Sequence, residues 1–244
     1  VTAAHRFCLR VHEALPSTSD LVARLAEAGE PDGLAVLARR QTAGRGTQGR
    51  SWEGPSGNLH ITMLLRPAEP MRHAPQWSLL AAVALADAVA PMLPDPSILA
   101  LKWPNDLLLG GAKAAGILTE ASATPEGGIA WLSIGIGVNL AHAPEVPGRR
   151  TACLADTGIA PPAPEAFAEA LLAAIDRRRT ERALEGFAPV RAAWLARGPA
   201  LDTHLAIRRQ GAEIAGRFAG LAEDGSLLLA SGGRVHAVAS GEVA

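Results

Sequence analysis

The apolar residues in the middle of the chain come in short runs, at 98–102, 107–109, 114–120 and 129–138. Pro104-Asn105-Asp106, Gly110-Gly111 and Pro125-Glu126-Gly127-Gly128 cut them apart. Runs this short, joined by turns this tight, reach mainly their sequence neighbours, which predicts an antiparallel sheet. Residues 6–11 alternate as a strand, Ser17 and its neighbours supply an N-cap for a helical run at 21–28, and 34–38 and 59–65 read as buried strands. Helical periodicity returns at 74–93, 164–182 and 187–195; after Gly198-Pro199 only short strands and Gly-rich turns remain. The expectation is an α/β (α+β) protein: a mixed, mainly antiparallel sheet flanked by helices over 1–198, then a small β module over 199–244.

With 244 residues, 48% hydrophobic and 19% charged, the chain has apolar surface enough for a sizeable core, and a disordered chain is excluded. Its 23 Lys+Arg balance 24 Asp+Glu, so no general field draws it to nucleic acid or to an anionic membrane, and any anion site must be local. The apolar stretch 77–93 is too short to span a bilayer and carries Asp87 and Pro91, and the N-terminus from Val1 shows no long apolar signal core. Cys8 and Cys153 stand apart from any metal-ligand spacing, so neither a metal cluster nor a disulfide framework is expected. A reducing, cytoplasmic setting follows as an expectation, with neither nucleic acid nor membrane as partner.

A loop of about 20 residues joins the strands at 34–38 and 59–65, long enough to suggest a binding role and a disorder-to-order step on ligand arrival. Gly44, Gly46 and Gly49 satisfy the pattern GxGxxG, but a dinucleotide fold needs a helix opening at those glycines, and Glu53-Gly54-Pro55-Ser56-Gly57 would break one. What remains is a helix-free anion cradle in which Arg45 and Arg50 supply forked charge and Trp52 a flat face for a base or ring. A solvated Gly/Arg loop is the alternative. Lys102 and Lys113 are the chain's only lysines. A hairpin through Gly110-Gly111 would set Asp106 and Lys113 close across neighbouring strands, either as acid and ammonium of one site or as a plain ion pair.

Taken together, Ser17-Thr18-Ser19, Gln41 to Gly46, Gly49-Arg50-Ser51-Trp52, Gly57-Asn58-Leu59, Lys102 to Asp106, Lys113 to Leu118 and Gly135 to Leu140 stand in an order that resembles the biotin protein ligases. The resemblance extends to an SH3-like tail at Gly220 to Leu229 and spans nearly the whole chain. It implies a class II synthetase-like catalytic domain and two half-reactions. Biotin and MgATP give biotinyl-5′-AMP, and a lysine of a biotin carboxyl carrier protein then takes the biotin. By that resemblance Ser17, Thr18, Ser19, Gln41, Gly44, Arg45, Gly46, Thr47, Lys113 and Gly116 would line the biotin site. Arg45, Arg50, Trp52, Asn58, Lys102, Asn105, Asp106 and Lys113 would meet the ATP or adenylate. Lys113, Arg45, Arg50 and Asp106 would carry the chemistry, Asp106 as the candidate base for the acceptor lysine, and Mg2+ is expected to arrive with ATP.

Two departures stand out against that pattern. Thr47 replaces an arginine usual between the loop glycines, which predicts looser retention of the adenylate, and Ser19 replaces a usual asparagine. The stretch before Ser17 is too short for the winged helix-turn-helix some members carry, so a repressor role is not expected. A lipoate or octanoate ligase or transferase, and a non-catalytic biotin- or nucleotide-binding module, are the competing readings; a homodimer is left open.

Overall fold

The structure is a computed structural model that describes residues 6–52, 54–209 and 212–243. Residues 1–5, on which part of the reading of the N-terminus rests, and Glu53 of the breaker run lie outside the described residues.

Seven strands form the main sheet: β1 (Cys8–His12), β2 (Leu34–Ala38), β3 (Leu59–Leu65), β4 (Leu99–Lys102), β5 (Asp106–Leu109), β6 (Ala112–Ala123) and β7 (Ile129–Val138). Their order is β1-β2-β3-β7-β6-β5-β4, antiparallel at every junction except β1 with β2. That pair is parallel because α1 (Thr18–Glu27) carries the chain back between them. The Ser17 hydroxyl caps α1 by accepting from Asp20 N at 3.3 Å. β2, β3 and β7 fall on their predicted bounds. β6 outruns the expected stretch 114–120 at both ends, pairing with β5 from Ala112 and with β7 as far as Ala123.

Each face of the sheet has its own cover. Ala35, Leu37, Ile61, Met63, Ile134 and Ile136 join one large core with α2 (Ala74–Val89), α3 (Pro164–Glu185) and α4 (Ala188–Leu195). α2 is buried along most of its length and ends at Val89, short of the predicted residue 93, giving way to a 3-10 turn that contains Pro91. On the other face Val36 and Leu64 pack under α1 with Val22 and Ala26. There α1 covers only part of the sheet, and the remainder of that face is floored by glycines.

Beyond α4, β8 (His204–Arg209), β9 (Ala212–Leu221), β10 (Leu227–Ser231), β11 (Arg234–Val238) and β12 (Glu242–Val243) form a second antiparallel sheet in the order β11-β10-β9-β8-β12. It suits an SH3-like barrel. Phe218, Leu221, Leu227 and Leu229 join the main core.

Candidate functional site

A row of residues crosses the open face of the sheet. His60 on β3 lies opposite Gly137 on β7, Gly137 opposite Gly116 on β6, and Gly116 opposite Asp106 on β5. Two glycines in mid-sheet leave a trough where side chains would stand. Trp52 lies in it: a Cβ built on Gly137 would come within 2.3 Å of the indole Nε1, and one on Gly116 within 3.0 Å of the ring. The row along the strands from it is Thr62, Gly135 and Leu118. There a Cβ on Gly135 would meet Ser19 Oγ at 2.8 Å. The cavity above these rows has a volume of roughly 480 Å³, within the range of a small-molecule site of ~300–1,000 Å³.

One end of the cavity is a hydroxyl and amide cluster. Thr18 Oγ1 and Thr62 Oγ1 are 2.8 Å apart, Ser19 Oγ and Thr62 Oγ1 3.2 Å, and Gln41 Oε1 accepts from Thr18 N at 2.8 Å and Thr18 Oγ1 at 3.0 Å. Such a cluster can donate to a carbonyl and accept from N–H groups, as a cyclic urea demands. Toward the other end, Lys113 Nζ lies 2.5 Å from Asp106 Oδ1 and 5.7 Å from the centre of the Trp52 ring. The hairpin thus brings acid and ammonium together; a bulge between Leu107 and Leu108 shifts the register so that the pair meets diagonally.

The glycine loop folds over the cavity, held by Gln41 N to Gly54 O and Trp52 N to Gly44 O. Gly44 has no room for a side chain: its Cβ would lie 2.4 Å from Trp52 O and 2.6 Å from Gln41 Nε2. The loop is not wholly free of helix, for Thr47–Gly49 forms a single 3-10 turn with Gln48 at φ 59°. The breakers stop the turn from extending but do not forbid it. Gly46, Thr47 and Arg50 line the cavity with Arg45. Both arginines, expected to supply forked charge for an anion, hold carboxylates. Arg45 forks onto Glu120 at 2.9 and 2.7 Å and reaches Asp20 at 2.7 Å, so its pKa is raised, chiefly by the Glu120 hydrogen bonds. Arg50 grips Glu242 of β12 at 3.0 and 2.9 Å and bonds Thr47 Oγ1 at 3.1 Å. Burial would raise the Glu242 pKa, but Arg50, Arg149 and Lys102 outweigh it and hold that carboxyl below the usual range.

Of the expected contacts, Thr18, Ser19, Gln41, Arg45, Gly46, Thr47, Arg50, Trp52, Asn105, Lys113 and Gly116 line the cavity. Ser17, Gly44, Asn58, Lys102 and Asp106 do not form its wall. Ser17 spends its hydroxyl on the α1 cap. Asn58 is buried, and its Oδ1 accepts from the backbone N–H groups of Leu140, Ala141 and His142 at 3.0, 3.0 and 3.1 Å, which makes it a brace for the chain after β7 rather than a nucleotide contact. Lys102 ends β4 beyond Asp106, and Asp106 stands behind Lys113. Among the contributors with no assigned role in the sequence are His60, Thr62, Asn139 and the segment 144–151. The run Pro144-Glu145-Val146-Pro147-Gly148-Arg149-Arg150 could have been noticed as a second loop rich in Pro and Arg.

Known proteins resemble this chain in sequence and fold. The model of the biotin/lipoate A/B protein ligase family matches residues 11–139. A biotin–[acetyl-CoA-carboxylase] ligase of Paracoccus denitrificans is 42% identical over 80% of this chain and 82% of its own, and one of Mycobacterium tuberculosis 33% identical over 93% and 84%. The biotin protein ligase of Aquifex aeolicus, solved in complex with biotin and ATP, superposes with a TM-score of 0.80 at 26% identity, covering 97% of each chain. A family match over more than half of the residues, joined to a relative sharing most of its length, leaves one reading of the lineage: the chain belongs to the biotin/lipoate A/B protein ligase family.

Proposed function

We infer that the protein is a biotin protein ligase, which joins biotin to ATP as biotinyl-5′-AMP and passes the biotin to a carrier lysine. The observation that carries this is one cavity holding a urea-compatible hydroxyl cluster at one end and the Lys113 ammonium toward the other. In the first step a biotin carboxylate oxygen attacks the α-phosphorus and the bond to pyrophosphate breaks. Two anions must approach, so a cation that meets them lowers the barrier most where charge accumulates. Lys113, held by Asp106 and lying beside the Trp52 face, is suited to that place. In the second step the carrier amine attacks the acyl carbon, AMP leaves, and the amine gives up a proton; the acceptor that the resemblance offers is Asp106, here bonded to Lys113 and set back from the cavity wall.

The site assignments follow the same reasoning, as does a division into a catalytic unit over 1–198 and a small β unit over 199–244. The partner is a biotin carboxyl carrier protein or domain, met in the cytoplasm. Among the described residues no helix is long and apolar enough to cross a membrane, and no three His, Cys, Asp or Glu side chains gather as metal ligands. Mg2+ needs no such cage, being held by nucleotide phosphates with one or two carboxylates; the residues that the resemblance sets near it are Asn105, which lines the cavity, and Asp106, behind Lys113. Bound there, the metal would offset phosphate charge.

The test is a streptavidin blot of a carrier domain incubated with the protein, MgATP and biotin, with Lys113→Ala as control. The native protein is expected to label the domain and the variant to fall by about 100-fold or more. Labelling with lipoate but not biotin would move the protein to the other branch of its family, and ligand binding without labelling would make it a binding module.

A further inference from the structure

His60 is buried at 1% exposure on the cavity face of β3, two residues before Thr62 of the hydroxyl cluster. Its Nε2 lies 3.2 Å from Pro55 O. A carbonyl can only accept, so Nε2 carries the hydrogen. Burial lowers the ring's pKa and keeps it neutral, which leaves Nδ1 as a bare lone pair. That Nδ1 is buried and has no hydrogen-bond partner among the described residues. A buried acceptor left without a donor is costly, and the residue lines the cavity.

We propose that His60 is a substrate-positioning residue whose Nδ1 accepts a hydrogen bond from a neutral N–H or O–H group of the bound substrate. The inference rests on the biotin-and-ATP reading, which offers such donors in two places, the ureido ring of biotin and the ribose hydroxyls or amino group of adenosine. A rival donor within the protein is the Trp52 indole N–H. It too is buried without a partner, over Gly137, the residue opposite His60, yet the two groups do not bond.

Two substitutions separate the nitrogens. His60→Gln reaches Pro55 as Nε2 does but removes the acceptor at Nδ1, whereas His60→Asn sets its carbonyl oxygen near the place of Nδ1. Calorimetry with biotin alone and the ATP dependence of pyrophosphate exchange at saturating biotin are the two arms. His60→Gln is expected to weaken one ligand by roughly three- to ten-fold, the worth of one neutral hydrogen bond, while His60→Asn recovers most of the loss. A weakened biotin arm identifies the ureido donor, and a weakened ATP arm the nucleoside. The proposal is overturned if His60→Asn loses as much as His60→Gln, if neither variant changes either arm while both melt like the native protein, or if the effect vanishes in a Trp52→Phe background. Binding of biotin by the native protein in the same cell reports separately on the functional reading.

Discussion

Asn58 and Lys113 show how differently two polar residues of one motif set can act. Asn58 satisfies three backbone N–H groups at once and donates to His142 O at 2.7 Å, so its removal strands several buried groups. Asn58→Ala should destabilise the protein by about 2 kcal/mol or more, a fall in Tm of roughly 4–8 °C for a chain of this size. Thermal melting checks it; an unchanged Tm with a raised KM for ATP would restore Asn58 as a nucleotide contact. From residue types alone, Lys113 could be placed near Asp106 because a two-residue Gly-Gly turn dictates which strand positions meet. Asn58 could not be placed, since a turn-prone asparagine and a phosphate-binding one look alike until their backbone partners are known. His60 escaped for a related reason: one histidine in a strand announces nothing until its neighbours across the sheet prove to be glycines.

Among the elements, strands were easier to read than the loop between two of them. β2, β3 and β7 are apolar on both faces or nearly so, and their ends are marked by breakers, whereas the 3-10 turn at Thr47–Gly49 depends on Gln48 taking a left-handed conformation that composition does not announce. In that turn Thr47 accepts from Arg50 through both its carbonyl and its hydroxyl. A short hydroxyl therefore stands where an arginine would add a further cation to the cavity. Thr47→Arg should slow escape of biotinyl-5′-AMP, on the order of ten-fold for one added charge-assisted contact. Release can be followed by quenched flow or by capture of the free adenylate with hydroxylamine; equal rates in both proteins would reject the idea.

At the scale of the whole molecule, the second sheet bears on the site through Glu242, which holds two of its lining residues. This carboxylate holds Arg50 of the glycine loop and, at 2.9 Å, Arg149 of the segment 144–151, so two walls of the cavity share one anchor on β12. Glu242→Gln should loosen both walls and raise the KM for ATP by about three- to ten-fold, with kcat less affected. The pH dependence has a defined sign. Because the folded carboxyl is held below its usual pKa, its contribution is present above the ordinary glutamate range and disappears as pH falls through the lowered value. Native and Glu242→Gln proteins should therefore converge in acid and differ at neutrality; a difference confined to acid would contradict the assignment.

The arginines that face the cavity are already matched with Glu120, Asp20 and Glu242 before any substrate arrives. An incoming triphosphate therefore meets arginines whose charge is already balanced, and the local field is closer to even than the count of arginines suggests. Affinity for ATP at fixed free Mg2+ should then respond weakly to added salt, with a slope of log Kd against log ionic strength well short of one unit per arginine. A titration between low and physiological potassium chloride would measure that slope, and a steep one would mean that the arginines meet the nucleotide as unpaired cations.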